Sequence, residues 1–79
     1  MTVAWAQDPD LVTWRAQVGG CNLEVTRLAL DQWVPRVERR GVIWAGPNLG
    51  NRASAQRWCE QAAAQMRREL KDKTEVAGQ

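Results

Sequence analysis

The chain has 79 residues, 44% of them hydrophobic and 25% charged, with a formal net charge of +2. Those proportions fit one folded domain rather than a disordered segment, and a charge this small does not by itself point to nucleic acid. His, Phe and Tyr are all absent, which excludes a histidine base, a histidine metal ligand and any Ser-His or Cys-His nucleophile pair.

Residues 1–10 read as an N-terminal arm. A short apolar piece carrying Trp5 ends in the turn signal Asp8-Pro9-Asp10. Over 11–18, Trp14, Ala16 and Val18 alternate with Thr13, Arg15 and Gln17. Period two predicts a half-buried strand. Gly19-Gly20 supplies the positive φ of a tight hairpin. Cys21, Leu23 and Val25 then alternate with Asn22, Glu24 and Thr26 on a second, antiparallel strand. Around Leu28 to Gln32 the alternation breaks, which predicts a turn or bulge. The third strand covers Gln32 to Arg39, where Pro35 signals an edge or a bulge. After Arg40-Gly41, Val42 to Ala45 reads as a short fourth strand, stopped by Gly46-Pro47.

Residues 46–51 form a loop, and Asn51 or Ser54 can cap a helix. Apolar residues at 55, 58, 59, 62, 66 and 70 then recur at three and four, marking one face of a helix over 51–73. Residues 74–79 read as a polar tail. The predicted fold is therefore α+β: an antiparallel β-meander of three to four strands over 11–45, with one C-terminal α-helix packed on one face. Its inner layer is Trp14, Ala16, Val18, Leu23, Val25, Trp33, Val37, Trp58, Cys59, Ala62, Met66 and Leu70. A core this small needs bracing, and five Trp are the candidate braces. Cys21 and Cys59 both fall on apolar faces and read as buried free thiols.

The chemistry-bearing features are few. Charge is graded along the chain: residues 1–31 are net acidic, whereas 32–51 and 52–73 are net basic. Two lone cysteines cannot furnish a zinc site, no cofactor is expected, and the meander offers no cleft to tune a carboxylate pair, so no enzyme activity is expected. The loop before the helix lacks the lysine of a P-loop. Arg57, Arg67, Arg68 and Lys71 can share the helix's solvent face, although Arg57–Glu60, Arg68–Asp72 and Glu69–Lys73 have the spacing of ordinary helix ion pairs. The outer sheet face would present Arg15, Gln17, Glu24, Thr26, Val34, Arg36 and Glu38, a mixture that suits solvent or a polar protein interface equally. On the fourth strand either Trp44 or Ile43 must face outward, beside Arg36 and Arg39. Arg and Trp are common interface anchors. The candidate partner-binding residues are therefore Arg57, Arg67, Arg68, Lys71, Arg36, Arg39 and Trp44.

Read together, the segments TWRAQVGGCNLEVTRL, QWVPRVERRG and SAQRWCEQAAAQM resemble the small β-meander-plus-helix proteins of phages, prophages and mobile elements in GC-rich bacteria. Anti-CRISPR proteins are among them. The resemblance is one of pattern and covers Trp14 to Leu70. It implies a non-catalytic inhibitor in the cytoplasm of a bacterial host, docking stoichiometrically on a defence complex such as a CRISPR effector. Many such inhibitors are acidic DNA mimics; this chain is mildly basic, which favours docking through Arg. Two other readings stand beside it: a small nucleic-acid-binding module using the basic helix, and a phage structural or assembly protein. No membrane association is expected, since no apolar run nears the roughly 18–20 residues of a span. Either a monomer or a homodimer is compatible with the pattern. Met1 to Gln7 lacks the features of a signal peptide.

Overall fold

The computed structural model describes residues 3–77, with side chains as far as residue 69. The elements are β1 (Ala6–Gln7), β2 (Thr13–Val18), β3 (Cys21–Ala29), β4 (Gln32–Arg39), β5 (Val42–Ala45) and α1 (Arg52–Ala77). All strand pairings are antiparallel, in the order β1-β2-β3-β4-β5. The α+β meander with one C-terminal helix on one face is thus present, but with five strands rather than three to four. The additional strand comes from the N-terminal arm, where Ala6 pairs with Arg15 and Gln7 with Trp14. Two residues are too few to carry a readable period.

Turn chemistry sets the register. Gly19 (φ 57°) and Gly20 (φ 81°) both lie in the left-handed region, as a two-residue hairpin with primed-turn geometry requires. The β4–β5 turn repeats that geometry with Arg40 and Gly41, and the Glu38 carboxylate accepts the Gly41 N–H at 2.9 Å. Where the alternation fails, the β3–β4 register shifts between Arg27 and Ala29. Pro35 is in an interior strand, and the irregularity it signals lies beside it. Its carbonyl accepts from Gly46 N–H, just past the end of β5, while Trp33 pairs with Leu49, so two residues of β4 face three of the following segment. The missing N–H falls where the pairing slips.

The helix starts at an Asn51 cap, whose Oδ1 accepts the Ser54 N–H at 2.8 Å. It continues to Ala77, past the end expected at Lys73. The reason is composition, since no Gly or Pro occurs between Gly50 and Gly78.

Ala55, Cys59, Ala62, Ala63 and Met66 of α1 bury against Ala16, Cys21, Leu23, Val25 and Val37 of the sheet. Leu23, Val25, Val37 and Met66 are fully enclosed, and each such side chain contributes about 1.5–3 kcal/mol of burial energy. The small alanines bring the helix close to the strands. Both cysteines are free and buried. The Cys59 thiol reaches the carbonyls of Glu24 and Arg36, each at 3.6 Å. Burial pushes that thiol up to about 11.

The tryptophans do not occupy the core's centre. Trp5, Trp14, Trp33, Trp44 and Trp58 are all partly buried, packed around an aliphatic middle. Trp58 lies on Gly46 and Pro35: a Cβ at Gly46 would meet the indole at 2.6 Å and the proline ring at 2.8 Å. The expected core side chain Leu70 lies outside the described residues.

Candidate functional site

With α1 on one face, the other face of the sheet is open. Strand register arranges it in rows. One row reads Ala6, Arg15, Glu24, Arg36, Ala45; the next adds Gln17, Asn22, Glu38 and Ile43. Small residues stand at both ends of the first row, with charge in its middle. The surface is concave there, enclosing about 710 Å³ between Ala4, Arg15, Gln17, Asn22, Glu24, Arg36 and Glu38.

Two polar chains cross this floor. Arg15 donates to Asp8 at 2.6 Å and to Glu24 at 3.0 Å. Bonding to Asp8 and the charge of Glu24 strengthen the hold of Arg15 on its proton. Gln17 donates to Asn22, and Asn22 to Glu38, each at 2.7 Å. The bond from Asn22, followed by that from the Gly41 N–H, holds the Glu38 carboxyl below its ordinary range. Arg36 stands apart. Its side chain is exposed, and no described residue pairs with it by ion pair or hydrogen bond. A cation left free between occupied carboxylates is a ready donor to an anionic group.

The other residues singled out from sequence are dispersed. Arg57 and Arg68 are exposed on the outward side of α1. Arg67 is not free to join them, because it lies across the β2–β3 hairpin and leaves no room for a Cβ at Gly19. Arg39 meets the same turn from below, Nη1 donating to the Gly19 carbonyl. Trp44 is half-buried against the core, and it is Ile43 that faces out, 49% exposed. Glu60, spaced to pair with Arg57, instead accepts the Trp5 indole N–H at 2.9 Å. The side chain of Lys71 lies outside the described residues.

Sequence reasoning passed over one feature. Leu11, Val12, Leu28 and Leu30 are exposed at one end of the sheet, Leu30 by 83%. Leu11 has φ 66°. It is held there by Asp10, which accepts the N–H groups of Val12 and Thr13 at 3.0 Å and the Thr13 hydroxyl at 2.7 Å. The readable signal was Leu-Ala-Leu-Asp at a place where alternation fails.

Among the described residues no three His, Cys, Asp or Glu gather as metal ligands, and no helix is long and apolar enough to cross a membrane. Compared with known proteins, the chain matches no family model, no curated protein and no solved structure.

Proposed function

We propose that this chain is a non-enzymatic binding domain that docks on a protein partner through its open sheet face. One observation carries the reading: the one helix among the described residues covers one face, and the other is a concave floor of about 710 Å³ with Arg36, unpaired among the described residues, in its row. Arg15 and Glu24 are pre-set by their own ion pairs, so the floor needs little reordering on contact. Arg36 is the anchor for a carboxylate of the partner. The narrower reading, inhibition of a bacterial defence complex, rests on the pattern resemblance to anti-CRISPR proteins and takes Arg36 as the first contact.

A nucleic-acid reading draws support from the exposed Arg57 and Arg68. It is disfavoured at the sheet, because Trp14, Trp33 and Trp44 share the helix side with the core, leaving no aromatic platform on the open face for bases. The test is affinity capture from bacterial lysate, with and without nuclease, comparing wild type with Arg36→Glu and with Arg57→Glu/Arg68→Glu. Protein docking at the sheet gives a nuclease-resistant complex that Arg36→Glu abolishes. Loss on nuclease treatment, with affinity falling steeply in salt, replaces it with nucleic-acid binding.

A further inference from the structure

β5 is the last strand of the sheet, and its outer edge is open. The hydrogen bond just past its end fixes its phase. Gly46 N–H donates to the Pro35 carbonyl at 3.0 Å, in register with β5, before the pairing slips by one residue at the Trp33–Leu49 bridge. Bonded residues alternate along an antiparallel ladder. Val42, Trp44 and Gly46 therefore turn their backbone groups toward β4, while Ile43 and Ala45 turn theirs outward. No described residue meets those outward groups.

Among the described residues nothing guards this edge. The strand Val42–Ala45 carries no charge and no proline, and its register with β4 has no bulge. Val42 and Ile43 are 39% and 49% exposed. Natural sheets block such edges, or use them for pairing.

We propose that the occupant is a second copy of this chain, its β5 antiparallel to the first about a two-fold axis at Trp44. Side-chain size selects this partner. In that register Ile43 lies opposite Ala45 of the second copy, and Val42 opposite Gly46. Each large residue meets a small one, in both directions, as an isologous contact requires. The two Trp44 residues face each other at a non-hydrogen-bonded position, where antiparallel strands come closest and aromatic pairs stabilise. Ile43 and Ala45 of each copy exchange backbone bonds, four in all, by the antiparallel rule. No charged residue lies within 42–46 to oppose its twin. Trp58, seated on Gly46, continues the apolar strip on the helix side. The dimer joins two five-stranded sheets into one and makes their open faces continuous, whatever those faces bind.

Sedimentation equilibrium of the full chain tests this between roughly 10 μM and 1 mM, the range in which a small interface associates. The weight-average mass is expected to climb from 8.9 kDa toward twice that value. Ala45→Pro removes an outward N–H and no bond to β4. Ile43→Lys puts a charge on an exposed position. Each is expected to weaken association at least tenfold while circular dichroism stays unchanged, and if Ala45→Pro perturbs folding, Ile43→Lys decides. A wild type that stays at 8.9 kDa throughout overturns the proposal. So does association that survives Ile43→Lys, or that is lost instead in Leu28→Asp/Leu30→Asp, which would move the interface to the aliphatic end.

Discussion

The two edges of the sheet are built on opposite plans. β1 is only Ala6–Gln7, and the residues on either side of it are tied down at three points. Asp8 N–H donates to the Thr13 carbonyl at 2.7 Å, the Asp8 carboxylate holds Arg15, and Trp5 clamps onto Glu60 of the helix. Pro9 follows at once. β5 is twice as long, wholly uncharged and supported only from behind, by Trp44 and Trp58. Neither edge is buried. What separates them is length and the charged Asp8 that closes β1, two of the means by which a sheet edge is kept from pairing. A proline follows each strand at the same distance, Pro9 and Pro47. The molecule is closed on one side and open on the other.

The largest expected effect attacks the support of the open edge. Gly46→Ala drives a Cβ into the Trp58 and Pro35 rings, neither of which can swing clear. A loss of about 2–3 kcal/mol follows, read by urea denaturation. Amide exchange should quicken at Val42 and Trp44 and not at Asp8, whose N–H is bonded to Thr13 across the other edge; equal quickening at both would mean that the edges open together. Next comes the closed edge. Trp5→Ala removes a half-buried indole and its bond to Glu60, for a loss of about 2 kcal/mol, and it should release β1 while sparing β5. Asp10→Ala is expected to lower the thermal midpoint by less than Trp5→Ala, through loss of the bonds that hold the β1–β2 loop. The Thr13 hydroxyl, then the Val12 N–H, hold the Asp10 carboxyl below its ordinary 3.8. A carboxyl depressed in the folded state stabilises above its unfolded value, and that contribution fades as pH falls through the lowered one. The gap between Asp10→Ala and wild type should therefore be full at pH 6 and close in acid below 3.8. The smallest effect is Asp8→Ala. Its partner Arg15 is 56% exposed, and such surface pairs are worth within about 0.5 kcal/mol.

The central hairpins were legible because their alternation is undisturbed. Trp14, Ala16 and Val18 fall opposite Val25, Leu23 and Cys21 as period two requires. The helix face was legible for the same kind of reason, with Cys59, Ala62 and Met66 all buried. β1 was not, because two residues carry no period and the clamp that holds the arm before it joins Trp5 to Glu60, 55 positions apart. Thr13 reads as an outward polar residue, yet it is buried at 5% exposure, since Asp10 satisfies both its N–H and its hydroxyl. The residues of the open face were legible, Arg36 among them. The separation of Arg67 from Arg57 and Arg68 was not, because it depends on a glycine turn that approaches only after folding.

The placing of the tryptophans has a practical consequence. Every indole belongs to the layer between sheet and helix, or to its margin. Intrinsic fluorescence will therefore be almost blind to anything that settles on the polar floor, and sensitive to anything that disturbs β5, where Trp44 sits. A ligand that leaves the emission spectrum untouched yet protects Arg36 from chemical modification would be on the floor, and one that shifts the spectrum would be at the edge. The chain carries its own optical label for telling its two surfaces apart.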